Sequence, residues 1–349
     1  MLRWAKNRLS ARRGVIVLTF HRVLPESEFS RVLSPEGMVV KENTFEELLR
    51  YLNRNYPAAR LNGHASPFQE GKSGLQVALT FDDGWVDNVR FAAPIAQKYD
   101  ISFTIFVCPG RMGASLPFWP DRMVAICEKA SAEGRLSEVL RFVSSETGKK
   151  IDERPSTTSK TAAREIVECL KTLPADRRRQ IVGTLLNRFI AKSQAYFEDV
   201  YSLYSTMTWE DAQRLSGMGI NFGSHTQTHQ ILTRIEPSLV QAEVEQSKLA
   251  VEQHLGQECL MFAYPNGEWT PEARALLEKT GYSKAFRNDP GVWRETTDPF
   301  LIPRLNVWER SLVDPWGKFS PLAFDYAVLW ECFRSRAKAS DHSHTVPSA

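Results

Sequence analysis

Short apolar runs that end in chemically reactive residues, separated by stretches of helical periodicity, constrain the fold of this chain more than any other feature. Val15-Ile16-Val17-Leu18-Thr19-Phe20 leads to His21, Val77-Ala78-Leu79 leads to Asp82 and Asp83, and Ile220-Asn221-Phe222-Gly223 leads to His225. Such runs read as buried strands, and the periodic segments between them read as helices. The expected order is a strand ending at Phe20, a helix at Asn43–Tyr51 and strands at Leu75–Phe81 and Ser102–Val107. It resumes with a strand at Ile220–Gly223, a helix at Ser238–Leu255, a strand at Leu260–Tyr264 and a helix at Thr270–Thr280 closed by Gly281. Thr208 and Asp211 have capping-box spacing and open one more helix before the Ile220 strand. The alternation fits an α/β barrel, and 349 residues accommodate a barrel of about 250 residues with insertions.

Thr80-Phe81-Asp82-Asp83-Gly84 sets two carboxylates at a strand exit, with Gly84 allowing a sharp turn. Ser224-His225-Thr226-Gln227-Thr228-His229 spaces two imidazoles four residues apart, which on a helical turn face one side. Two imidazoles and one carboxylate form a three-ligand site for a divalent cation that keeps a position open for water. Such a cation lowers the pKa of that water from about 15.7 toward about 7. The remaining carboxylate is then free to take a proton as water attacks. Alone, Asp-Asp-Gly also describes a solvated turn, and His-x-x-x-His also describes a surface helix. Their joint occurrence points to a metal-dependent hydrolase.

Phe262-Ala263-Tyr264-Pro265-Asn266-Gly267 supplies a third motif, and with it the chain resembles the polysaccharide deacetylase family, also called the NodB-homology or carbohydrate esterase family 4 fold. The resemblance spans about residues 14–307 and implies an irregular, incomplete (β/α) barrel. It implies Asp82 as general base, Asp83, His225 and His229 as metal ligands, and the backbone N–H after Pro265, that of Asn266, as an oxyanion donor beside Tyr264. Zinc is the expected ion, and the same donors admit cobalt, nickel and iron. The implied reaction removes N-acetyl groups from an N-acetylated amino sugar in a glycan or glycan precursor.

The chain departs from the commonest family pattern in two places. Ala263 stands where many members have an arginine that grips the base, and Arg304 in Ile302-Pro303-Arg304-Leu305 is the cation expected to reach Asp82 instead. The usual C-terminal leucine-x-histidine is also missing, since His342 and His344 are the only histidines beyond His254. In a branch with rearranged motif order an N-terminal Tyr/Phe-His segment takes its place. Phe20-His21-Arg22-Val23 matches that segment, so His21 is expected to protonate the leaving amine, against the plainer reading of a packed histidine. His64 and His254 receive no role. Trp85, Trp269, Trp293 and Trp308 lie near the motifs, and stacking on sugar faces and ordinary packing stay open for each; Trp85 is counted with Asn266, Tyr264 and Arg304 among the expected oxyanion and substrate contacts.

Between Asp121 and Phe197 the pattern changes to long helical segments at Arg135–Val143, Ala162–Leu173 and Arg177–Ile190, with Pro174 as a break. This reads as a helical insertion at about 118–205 within a deacetylase barrel at 14–315. A cap over barrel surface is favoured over a docking module, and its position would let it overhang the active-site mouth. Residues 316–349 read as a C-terminal helix at Leu322–Phe333, packed on the barrel, and a disordered tail.

The net charge of +3 conceals five basic residues and no acid in Met1–Arg13, leaving 39 basic against 41 acidic residues elsewhere. Leu2, Ala5 and Leu9 share one helical face, so this segment either lies on an anionic bilayer surface or forms a short solvated helix. Balanced charge elsewhere and no recognition motif argue against nucleic-acid binding. No apolar core of a secretory signal follows the basic start, and no run reaches the ~18 apolar residues of a membrane span. Cys108, Cys127, Cys169, Cys259 and Cys332 are scattered without a Cys-x-x-Cys pair, which fits reduced thiols. The expected setting is the cytoplasm, peripheral at the inner membrane face. The expected partner is then an N-acetylated glycan or a lipid- or nucleotide-linked sugar, with contact to the membrane or a glycan-assembly enzyme. Two other functions compete: an amide hydrolase of the same fold acting on a small non-sugar amide, and a catalytically silent glycan-binding or scaffold subunit. Intact Asp82, Asp83, His225 and His229 argue against the silent subunit.

Overall fold

The structure is a computed structural model that describes residues 14–29, 31–35, 37–68, 74–152, 158–190, 204–328 and 330. Met1–Arg13, Cys332 and the rest of the C-terminal tail lie outside the described residues.

Nine strands are present among them: β1 Gly14–Phe20, β2 Arg22–Leu24, β3 Val39–Lys41, β4 Leu75–Asp83, β5 Thr104–Val107, β6 Asn221–Ser224, β7 Met261–Ala263, β8 Lys284–Phe286 and β9 Leu305–Asn306. Seven form one curled sheet in the order β8-β7-β6-β5-β4-β1-β9, with every neighbouring pair parallel, and β2 pairs with β3 separately. Side-chain alternation along the strands assigns each residue to a face. Val15, Val17, Ala78, Phe106, Met261, Ala263 and Phe286 fill the inside. Ile16, Leu18, Phe20, Val77, Leu79 and Phe81 pack outward against helices. Both faces are therefore covered, and β1 and β4 are buried at every residue.

The barrel closes through a short segment. Ile302 bridges Phe286 of β8, and three residues later β9 pairs with β1. Residue 304 lies between these two contacts, at the seam.

The principal helices are α1 Glu42–Asn55, α2 Ala93–Lys98, α3 Trp119–Ala132, α4 Leu136–Thr147, α5 Ser159–Lys171, α6 Ala175–Phe189, α7 Trp209–Gly217, α8 Pro237–Leu255 and α9 Pro271–Lys279. The Thr208–Asp211 capping box is present at the start of α7. Thr270, expected inside a helix, is instead the N-cap of α9 and accepts from the Ala273 N–H. The expected amphipathic helix α8 buries only a narrow stripe of Val244, Ser247 and Val251, while Leu239 and Leu249 face outward.

Helices α3–α6 have a hydrophobic core of their own, in which Met123, Ile126, Val139, Leu140, Ile166, Leu170, Ile181 and Leu185 meet. Trp85, Phe118 and Tyr204 join this core to the barrel. At the C-terminal end residues 321–328 are helical. Phe324 and Val328 are buried, and Asp325 accepts hydrogen bonds from the Tyr51 and Tyr56 hydroxyls. Leu322, Tyr326 and Trp330 on the same stretch are exposed. No helix among the described residues is long and apolar enough to cross a membrane. Cys108, Cys127, Cys169 and Cys259 are buried free thiols.

Candidate active site

Backbone strain concentrates on the motif residues. Among the described residues five non-glycine positions have positive φ, and four of them are Asp83 (75°), Thr226 (63°), His229 (64°) and Asn266 (59°). Each such residue costs on the order of 1–3 kcal/mol and persists only where its surroundings hold it. Gly84, at φ 72°, continues the turn after Asp83 without that cost. The histidine motif is therefore a loop: His225 and His229 lie in irregular backbone after β6, and the positive φ of Thr226 and His229 replaces the helical turn expected from the spacing. Bonds from the Thr228 N–H and hydroxyl to Glu243, and from the His225 N–H to the Val107 carbonyl, hold the loop.

At the end of β4 the two carboxylates part. Asp82 turns to Arg304, whose Nη1 and Nη2 each donate to one of its oxygens at 2.7 Å. The guanidinium is 0 % exposed, and it also donates through Nε to the Arg287 carbonyl at 3.0 Å. Burial works to raise the Asp82 pKa, but the charge and hydrogen bonds of Arg304, with the nearby His225 and His21, together outweigh it and hold the carboxyl below its ordinary range. Arg304 comes to Asp82 as the sequence suggested. It is no substrate contact, because its donors are directed to Asp82 and Arg287 and it does not line the cavity.

Asp83 turns the other way. Its Oδ1 lies 3.2 Å from His229 Nε2 and 3.8 Å from His225 Nε2, and one donor atom from each of the three residues falls within 4.8 Å of the others. His225 Nδ1 sits 2.7 Å from the Ala263 carbonyl, which only accepts, so Nδ1 carries the proton and Nε2 turns its lone pair toward Asp83. Burial pushes the His225 pKa down to about 4, which keeps the ring neutral and able to ligate. Asp83 Oδ1 is buried without an aligned hydrogen bond. Two imidazoles and a carboxylate aimed at one point fit a divalent cation of the zinc, cobalt, nickel or iron type.

Trp85 corrects the sequence reading. It is 0 % exposed and is no sugar platform; its indole N–H donates to Asp83 Oδ2 at 3.0 Å. The Arg22 guanidinium lies 4.3 Å from the Trp85 ring centre and pairs with Asp87 at 2.8 Å. Arg22 also donates to Ser34, which donates to Asp121 of α3. Trp85→Phe keeps an aromatic ring but removes the N–H together with half of the indole. It is expected to weaken divalent-ion affinity about 10- to 100-fold, measured by zinc titration, and to lower the unfolding midpoint because the smaller ring leaves a void at a buried site. Unaltered affinity would leave Trp85 a packing residue only.

His21 lines the same cavity, with Nδ1 buried and unpaired among the described residues. Burial pushes its pKa down, against the pull of Asp83 and Asp82. The Asn88 side chain, at the start of a π-helical turn Asn88–Ala92, donates to the His21 carbonyl at 2.9 Å and fixes that strand exit. Tyr264 and Asn266 line the cavity too; the Tyr264 hydroxyl is buried without a partner among the described residues, and Asn266 Nδ2 donates to Glu268. Trp293 is buried, and none of Trp85, Trp269, Trp293 and Trp308 lines the cavity, whereas Trp119 does. His64 is exposed beside Glu258, and His254 stacks on Trp209, both outside the site.

Sequence reasoning missed Arg22, Asp87, Asn88 and Asp121. In sequence Asp87 and Asn88 resemble any polar helix start, and Arg22 any strand-end cation. Asp121 is buried and its pKa is raised by burial to about 6. The cavity encloses about 770 Å³ and runs from Asp82, Asp83, His225 and His229 to the inner side of α5.

Comparison with known proteins agrees with this arrangement. The Bacillus subtilis (strain 168) protein YxkH is 28% identical over 101 residues, which are 29% of this chain and 36% of that protein, so the match spans about a third of the relative's length. Streptococcus pyogenes deacetylase PplD superposes with a TM-score of 0.52 at 15% identity, covering 86% of this chain and 95% of that one. A de-N-acetylase from Aggregatibacter actinomycetemcomitans superposes at 0.50 and 12% identity, covering 90% and 100%. At such identities these structures speak for the fold alone. The polysaccharide deacetylase family model matches residues 70–136 and 155–285, more than half of the sequence and including the Asp and His motifs, and the chain belongs to the polysaccharide deacetylase family.

Proposed function

We propose that this protein is a divalent-metal-dependent N-deacetylase acting on an N-acetylated amino sugar in a glycan or glycan precursor. One observation carries the reading: a buried carboxylate, Asp82, is clamped by Arg304 immediately beside a separate, converging Asp83–His225–His229 donor set. A silent scaffold has no use for a buried charge pair held at the edge of a cavity.

A cation held by Asp83, His225 and His229 would supply Lewis-acid chemistry, polarising the acetamide carbonyl and acidifying water. The chain's own residues do the rest. Asp82, kept ionised and oriented by Arg304, takes a proton from the attacking water. The Asn266 N–H donates to the carbonyl oxygen as negative charge develops on it. His21 gives a proton to the leaving nitrogen, so that acetate and a free amine depart.

Elemental analysis of wild type and His225→Ala tests the metal without any choice of substrate. About one divalent ion per chain, lost in the variant together with acetate release, is the expected result. A wild type that binds no ion even with zinc added would remove the hydrolase reading.

A further inference from the structure

The insertion lines part of the cavity, and it brings basic side chains to a site whose motif residues are carboxylates and imidazoles. α4 stops at Gly148, whose φ of 67° makes the left-handed C-cap, and the chain turns so that Lys149 and Lys150 line the cavity while Ile151 is buried beneath them. From α5, Arg164 and Lys171 line the same wall with Glu165 and Glu168. Lys171 pairs with Glu168 at 2.7 Å, and the Glu165 carboxylate accepts from the Asp152 N–H at 3.3 Å. Lys149 donates to the Thr172 hydroxyl, and neither Lys149 nor Lys150 enters an ion pair among the described residues. Phe118, Trp119 and Val167 add apolar wall to the cavity, and the Phe118 ring lies 5.1 Å from that of His229. The volume lies in the upper part of the ~300–1,000 Å³ range of small-molecule sites, more room than one acetamido sugar ring needs.

We infer that Lys149 and Lys150, with Lys171 beside them, form a subsite for a phosphate ester carried by the substrate at a distance from its acetamide. This deepens the deacetylase reading and rests on it for the identity of the other end. Several separate cationic donors suit a tetrahedral anion with oxygens pointing in several directions, whereas a lone carboxylate is satisfied by a single bidentate guanidinium. The group beyond the phosphate is a nucleoside or an apolar carrier chain, and the two sources share the recognised chemistry.

Sugar-free diphosphates separate both the sources and the readings. Calorimetric titration of metal-loaded protein with uridine diphosphate and with farnesyl diphosphate is compared with uridine and farnesol. The same titrations are run on Lys149→Ala/Lys150→Ala and on Lys160→Glu, an exposed residue of α5 that does not line the cavity. The expected result is binding of one diphosphate at least about tenfold tighter than its phosphate-free counterpart, with that preference lost in the double alanine variant and kept in Lys160→Glu. Preference for uridine diphosphate assigns a nucleotide-linked substrate, and preference for farnesyl diphosphate a lipid-linked one. No preference for phosphate, or a preference untouched by the double variant, overturns the subsite. Because binding needs no turnover, protein that prefers a diphosphate through these lysines but releases no acetate from any acetylated sugar would sink the deacetylase reading and keep the subsite. An active deacetylase indifferent to phosphate does the reverse.

Discussion

Asp82→Asn is expected to lower kcat for acetate release by about 10²- to 10⁴-fold, the range contributed by a positioned general base, while the protein keeps its metal. Asparagine fills the same space but takes up no proton at neutral pH. The three converging donors belong to Asp83, His225 and His229 and are left intact. Acetate release and metal content measured on one preparation separate this outcome from that of His225→Ala, which loses both. Turnover within about tenfold of wild type, with metal bound, would mean that another group accepts the proton.

Arg304→Met should act first on the fold. Asp82 and Arg304 are both buried and joined by two 2.7 Å bonds. Removing one partner leaves a carboxylate in a low-dielectric interior, at a cost of about 3–5 kcal/mol, read as a lowered urea midpoint. Lysine restores the charge but not the planar fork, since one ammonium cannot donate to both carboxylate oxygens and to the Arg287 carbonyl in the observed geometry. Arg304→Lys should therefore recover only part of the stability. Arg304→Met combined with Asp82→Leu removes both charges and should be more stable than Arg304→Met alone. A double variant no better than the single one would mean that shape at the barrel seam, rather than charge, is what Arg304 provides.

Much of this was legible because local rules act locally. Strand runs, the α7 capping box and the insertion helices follow from periodicity and end signals within a few residues. Arg304 was traceable by a different route, the family resemblance: alanine at 263 stands where many members carry the arginine that grips the base, which left Arg304 of Ile302-Pro303-Arg304-Leu305 as the cation expected to reach Asp82. The helical placement of the histidines failed because the positive φ of Thr226 and His229 is imposed by contacts with Glu243 and β5, not by the motif itself. Trp85 was misread for a related reason. The residues that bury it, Arg22, Phe118 and Tyr204, come from three distant places, two of them at the ends of the insertion. Where a neighbour arrives from far along the chain, as Asp87 does for Arg22, a single sequence carries no mark of it.

The same long reach orders events on the ribosome. Asp82 is made early and its counter-ion late, 222 residues downstream. A nascent chain that has exposed β4 but not yet Ile302 lacks both the closing segment of the barrel and the charge that permits an ionised Asp82 to be buried. Until then the acid is best left in water, so the strand that bears it has reason to dock last on that side. Closure of the barrel and burial of an ionised Asp82 thus coincide in one step, the seating of the 302–306 segment.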